Sequence, residues 1–258
     1  MTERLPNMLK HNLPSVFAVL SFLLPWQLVC IIDLVPAYML PSPVDVVLAF
    51  IREWPLLWDH ALITLQEALI GLLFGVCIGF AAAVLMDRFE LLYKAFYPLL
   101  IITQTIPSVA IAPLLVLWFG YEMMPKIILI VISTFFPITV GLLEGLRSAD
   151  QDAIALLRSM GATQWQIYRY IKLPSALPQF FSGLRIAAAY SVVGAVISEW
   201  LGGFGGLGVY MTRVKKAFAF DKMFAVIFLI SGISLLLMAL VELAERKCMP
   251  YRNIEKNN

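Results

Sequence analysis

Residues 144–178 read EGLRSADQDAIALLRSMGATQWQIYRYIKLPSALP, a polar interruption between strongly apolar blocks. Two short helices are legible in it. Ile154, Leu157 and Met160 repeat at helical spacing and predict a first helix over about 148–160, with Ser148 or Asp150 as its N-cap. Gly161 follows, the residue type most often used for the left-handed stop after a helix. Thr163 with Gln166 three positions on is a capping-box pattern that starts a second helix. Trp165, Tyr168 and Ile171 then share one apolar side. Pro174 is expected to end that helix, because it restricts Leu173 and has no N–H to donate. An amphipathic hairpin of this kind is also what rests on a bilayer surface, and both readings stay open at this point.

The composition outside this loop sets the class. Of 258 residues, 61% are hydrophobic and 14% charged, against roughly 45–50% and about 25% in ordinary soluble domains. A soluble fold could not hide that much apolar surface, so the chain is expected to be an all-α polytopic membrane protein. A net charge of +2, with the basic residues scattered among the connections, gives no footprint for nucleic acid.

Six membrane spans are expected, at about 12–32, 61–86, 95–119, 125–143, 180–201 and 223–243, so that 12–243 forms the transmembrane domain. The first block, Asn12 to Ile32, runs 21 residues without a charge, enough to cross about 30 Å of hydrocarbon. It is read as a retained anchor, since no small-residue cleavage site follows it. The "LPSPVDVVLAF" segment is expected to lead into a short interfacial helix. In the second span Gly71, Gly75, Gly79 and Ala83 recur four apart, which predicts a helix–helix contact face. Gly183, Ala187, Ser191 and Ala195 repeat the device in the fifth. Glu67 is the candidate buried charge, with the headgroup level as the alternative. Arg185 is expected to snorkel to the inner surface.

The third span carries Thr103, Gln104, Thr105, Pro107 and Ser108 near its middle, where polar groups need partners or water. Thr103, Gln104, Ser108, Ser191 and Glu199 are the candidate residues of a translocation route. The alternative for each is a structural role at a helix contact.

Lys and Arg set the expected orientation. Twelve lie in 1–11, 87–94, 144–179 and 244–258, against six in the opposite connections. This predicts cytoplasmic termini (1–11 and 244–258) and a cytoplasmic loop at 144–179. The basic stretch 202–222 dissents from the count, and re-entrant and exposed placements both remain open for it.

Catalytic patterns are missing from the sequence. GFGGLG at 203–208 fits G-x-G-x-x-G, but it follows an apolar helix with no βαβ unit around it, so a turn or gate is the better reading. There is no G-x-x-x-x-G-K-[ST], no H-E-x-x-H and no G-x-S-x-G. Cys30, Cys77 and Cys248 have no metal-ligand spacing, and His11 and His60 flank membrane segments. No catalytic residue and no metal site is therefore expected, although a stand-alone intramembrane enzyme or a scaffold is kept as the competing class.

The spacing of Gly161, nine residues, Ile171, one residue, Leu173-Pro174 resembles the EAA loop of ABC-importer permeases. Ala155, Leu156 and Leu157 stand where that pattern has Glu-Ala-Ala, so its acidic residue is absent. "PSVAIAPLLVLWFG" at 107–120, "FFPITVGLLEG" at 135–145 and "ISEWLGG..GLG" at 197–208 look like the nitrate/sulfonate/taurine branch, which includes importers of thiamine precursors. The segment "GLGVYMTRVKKAFAFDKMFA" looks closer to the latter.

The resemblance implies a type I permease fold whose loop is a coupling helix seated on an ATPase subunit. Leu157, Gly161, Ala162, Trp165, Tyr168, Ile171, Leu173 and Pro174 would be the coupling residues. It also implies a homodimer, a separate ATPase chain that uses the ATP, an extracytoplasmic substrate-binding protein, and no cofactor on this chain. The setting would be the plasma (inner) membrane of a prokaryote. The solute implied is a pyrimidine precursor of thiamine, with sulfonates, taurine or nitrate as the alternative.

Overall fold

A computed structural model of the chain describes residues 4–32, 34–36 and 39–249, with side chains described from residue 17 onward except that of residue 19. Residues 1–3 of the expected N-terminal segment and 250–258 of the expected tail thus fall outside the described residues, as does the side chain of His11. Among the described residues the chain is helical throughout: α1 (Arg4–Ile31), α2 (Pro43–Arg52), α3 (Trp54–Arg88), α4 (Glu90–Thr103), α5 (Ser108–Phe119), α6 (Met123–Arg147), α7 (Gln151–Ser159), α8 (Gln164–Ile167), α9 (Leu173–Leu201), α10 (Leu207–Lys216) and α11 (Phe220–Cys248).

Among the described residues four stretches are long and apolar enough to cross a membrane: α3, α6, the run Gln164–Leu201 and α11. The pair α4 and α5 adds a fifth if counted as one broken span, and Leu20–Ile31 is a shorter apolar helix. Exposed Leu73, Phe74, Leu235 and Leu236 give α3 and α11 the apolar outer surface that lipid requires.

The chain forms two compact units. One comprises Met1–Trp58 and Met211–Phe228. In it the "LPSPVDVVLAF" segment leads into the short helix α2, as expected, and Ser42 caps that helix through a full capping box with Asp45. Trp26 of α1 stacks on Phe228, with centroids 6.4 Å apart. Lys222 Nζ binds Glu53 Oε1 at 2.5 Å.

The second unit, Asp59–Tyr210 with Leu229–Asn258, is built on α6 and α9. The four-residue spacing of small side chains works as read from the sequence. A Cβ on Gly75 would strike Thr134 of α6, and Gly71 and Gly79 sit against Ile130 and Ile138. On α9, Gly183 lies against the carbonyl of Pro137, and Ala187, Ser191 and Ala195 are wholly buried. Ala68, Ile130, Ala188, Val192 and Leu237 fill the layer between these helices.

Two expectations need correction. The third span is not continuous: α4 stops at Thr103, and α5 leaves at 97° to it. Pro107 is the N-cap of α5 in an extended conformation, which bars the preceding residue from the helical region and removes a donor. Pro174 does not end the second hairpin helix either. A π turn over Tyr168–Lys172 carries α8 into α9, with Pro174 in the first turn of α9. In that turn Leu173 N–H donates to Tyr168 O, five residues back. A widened turn of this kind accepts a proline that a regular helix interior would not.

Arg185 keeps partial exposure, and its guanidinium lies 3.3 Å from Glu245 of α11.

Candidate functional site

The hairpin after α6 is assembled from its own sequence signals. Asp150, rather than Ser148, caps α7, its carboxylate accepting from Asp152 N–H at 2.9 Å. Gly161 stands at φ +81°, the left-handed position for which glycine is suited. Thr163 and Gln166 form the capping box of α8, with Thr163 N–H donating to Gln166 Oε1 at 2.7 Å.

Ala149, Ile154 and Ile167 are buried together, and Leu157, Ala162 and Ile171 pack on them. The hairpin therefore has a small core, and three of the predicted coupling residues (Leu157, Ala162 and Ile171) belong to it rather than to an outer face.

The outer face is made by other side chains. Trp165 is 68% exposed and stacks on the half-buried Tyr168, with rings 6.5 Å apart and 11° from parallel. Leu156, Met160 and Tyr170 are also exposed. Met160 was grouped with Ile154 and Leu157 by its spacing, but it lies beyond the end of α7 and turns outward. Leu173 and Pro174 are half-buried at the start of α9. Leu156 and Tyr170 were missed; both are apolar or aromatic residues off the inward helical repeat, and that mismatch was the available signal.

Ion pairs fix the hairpin to the ends of the long helices. Lys172 Nζ lies 2.8 Å from both oxygens of Asp87 at the end of α3. Arg147 at the end of α6 binds Glu90 of α4 at 2.8 Å and covers the Tyr93 ring at 3.4 Å. A recess of about 450 Å³ opens between Asp87, Arg88, Arg158, Trp165 and Lys172.

A second feature lies at the break between α4 and α5. A cavity of about 300 Å³ is bounded there by Thr103, Gln104, Ser108, Ser133 and Tyr190, with apolar walls from α6 and α9. Three of the five predicted route residues, Thr103, Gln104 and Ser108, meet in it. Ser133 and Tyr190 were not singled out, since a single hydroxyl within an apolar span reads as an ordinary helix-packing residue.

Ser191 and Glu199 do not line this cavity. Ser191 is fully buried and donates to Ala188 O. Glu199 is 1% exposed; its Oε1 accepts from Thr64 Oγ1 at 2.7 Å and its Oε2 from Gly208 N–H at 2.6 Å. His60 is buried rather than interfacial, and its Nδ1 accepts from Gly206 N–H at 3.0 Å. The GFGGLG segment is thus a turn tied down by Glu199, Thr64 and His60. Glu67 is buried as well, paired with Lys126. Among the described residues no cluster of His, Cys, Asp and Glu could hold a metal.

Long apolar helices around a broken span, with a self-capped hairpin at one end, define a multi-pass membrane transport protein. The chain belongs to the family of ABC-importer permeases described as binding-protein-dependent transport system inner membrane components, whose model matches residues 75–249. It is 40% identical over 216 residues to the formylaminopyrimidine transport permease protein ThiX of Halalkalibacterium halodurans, covering 83% of this chain and 86% of that one. It is 27% identical to the taurine transport system permease protein TauC of Escherichia coli K12, over 92% and 89% of the two chains.

The fold matches an inward-facing structure of the MetNI methionine ABC transporter, with a TM-score of 0.65 at 22% identity, over 75% of this chain and 97% of that one. Membership makes the chain a transport subunit with a separate ATPase and a binding protein as partners.

Proposed function

We propose that this chain forms the translocation pathway for a small polar solute, a pyrimidine of the kind that precedes thiamine, handed over by an extracytoplasmic binding protein. The solute follows from the 40% identity to a formylaminopyrimidine permease. Taurine or another sulfonate is the second reading, carried by the more distant likeness to a taurine permease.

The observation that carries the coupling role is the exposed Trp165–Tyr168 stack on a hairpin with a core of its own. An aromatic face left open beyond the ends of the spans, flanked by exposed Leu156 and Met160, suits the groove of a partner protein.

In the proposed arrangement residues 12–243 are the transmembrane domain of a homodimer in a prokaryotic plasma membrane. Residues 1–11, 144–179 and 244–258 face the cytoplasm. Closure of two ATPase subunits on ATP draws the hairpins together, and α9, continuous with α8 through the π turn, transmits the motion to the cavity. Gln104 lines that route.

The test is uptake by cells expressing the permease with its ATPase and binding protein. Labelled formylaminopyrimidine should accumulate and taurine should not; the reverse result selects the second reading. Gln104→Leu should lower uptake while the ATPase still co-purifies, and normal uptake by that variant removes Gln104 from the route. Gln151→Cys should resist an impermeant thiol reagent in intact cells while Asp45→Cys reacts.

A further inference from the structure

We infer that the cavity at the α4–α5 break is a solute subsite for a neutral, single-ring solute bearing adjacent hydrogen-bond donors and acceptors, and that it rejects free sulfonates. This rests on the reading of that cavity as part of the translocation route, and adds to it a chemical selectivity.

The lining is polar and uncharged. Ser108 offers a hydroxyl, Thr103 and Ser133 offer hydroxyl oxygens as acceptors because their protons go to Leu100 O and Leu129 O, Gln104 adds an amide and Tyr190 a phenol, and the lining holds no Asp, Glu, Lys, Arg or His. The amide of Gln104 supplies donors and an acceptor from one group, and Tyr190 gives a ring face on which a planar solute can lie. An anion entering here would give up part of its hydration and meet no counter-charge, which is unfavourable. The buried Lys126 is already engaged by Glu67, and the half-buried Arg185 by Glu245.

Ser133 adds a further acceptor, since Pro137, four residues on in α6, cannot donate to its carbonyl. An amino group beside a ring nitrogen, as on an aminopyrimidine, offers the matching pattern. The volume, about 300 Å³, is at the lower end of ligand sites and limits the solute to about one ring with small substituents.

The test uses the detergent-purified permease–ATPase complex with Cys30, Cys77 and Cys248 replaced by serine. Ser133→Cys and Thr103→Cys are introduced singly, and the exposed Gln151→Cys serves as the reference. Neutral methyl methanethiosulfonate should label both cavity cysteines readily. Sulfonatoethyl methanethiosulfonate, normalised to its rate at residue 151, should be at least tenfold slower. Millimolar formylaminopyrimidine should slow neutral labelling, and ethanesulfonate at the same concentration should not.

Equal rates for the two reagents, with protection by ethanesulfonate, would overturn the selectivity while leaving the cavity on the route. If neither solute protects, and complexes blocked at residue 133 or 103 still transport in vesicles, the route itself lies elsewhere and the inference fails with it. Thr103 is exposed, so its variant keeps the test available should Ser133→Cys fail to assemble.

Discussion

Lys126 of α6 places its Nζ 2.5 Å from Glu67 Oε1 of α3, and the two side chains are only 7% and 5% exposed. Two opposite charges removed from water together cost much less than either alone. Breaking such a pair typically costs about 3–5 kcal/mol, whereas replacing both members with apolar groups of similar size is often neutral. Glu67→Gln and Lys126→Met should therefore each lower the melting temperature of the purified permease. The double variant Glu67→Leu/Lys126→Met should recover most of the loss. Single variants that melt with the parent would show the pair to be dispensable.

Glu199 holds the glycine turn through Gly208 N–H, and Thr64 through Leu207 N–H. Leaving a buried amide without its acceptor costs about 1–3 kcal/mol. In Glu199→Ala the Gly208 amide should exchange with solvent at least tenfold faster, read by hydrogen exchange on the purified protein. Glu199→Gln, which retains an acceptor, should fall between. Unchanged protection at Gly208 in the alanine variant would mean that the turn is held by its packing instead.

Gly183 lets α9 approach the Pro137 carbonyl of α6 more closely than any side chain permits. Gly183→Ala should cost roughly 1–3 kcal/mol, as overpacking does, measured as loss of thermal stability. Gly232 of α11 meets nothing within 4 Å, so Gly232→Ala is the control, expected to be neutral or slightly stabilising through helix propensity. Equal behaviour of the two variants would contradict the packing account.

Gly161 also has open space around its Cβ position, but its φ of +81° strains any larger residue. Gly161→Val should misdirect α8 and abolish retention of the ATPase in a pull-down. Trp165→Ala removes an exposed ring, so the permease should melt as before while ATPase retention weakens by about tenfold or more, from a contact worth roughly 1.5–3 kcal/mol. Full retention and full uptake in both variants would mean that the hairpin rests on lipid.

Much of this protein was legible before any coordinates. Local signals act between residues a turn or two apart, so the Thr163 capping box, the left-handed Gly161 and a cap at Ser148 or Asp150 could be read directly. Four-residue spacing of small side chains marked the contact faces of α3 and α9, because the helix repeat alone puts such residues on one side. Hydropathy gave the long spans, since lipid demands unbroken apolar runs.

What it left open depends on partners distant in the chain. Pro174 reads locally as a stop, yet a π turn absorbs it and makes α8 continuous with α9. Gln104 and Ser108 read as lying within one span, yet the 97° break turns their segment into the wall of a cavity completed by Ser133 and Tyr190. Glu67 is the candidate buried charge, and His60 and Glu199 read only as lying near helix ends; packing gives them Lys126, Gly206 and Thr64 as partners, 59, 146 and 135 residues away in sequence. A one-dimensional pattern carries hydrophobic period and backbone preference; which polar groups find one another is settled by how the helices cross.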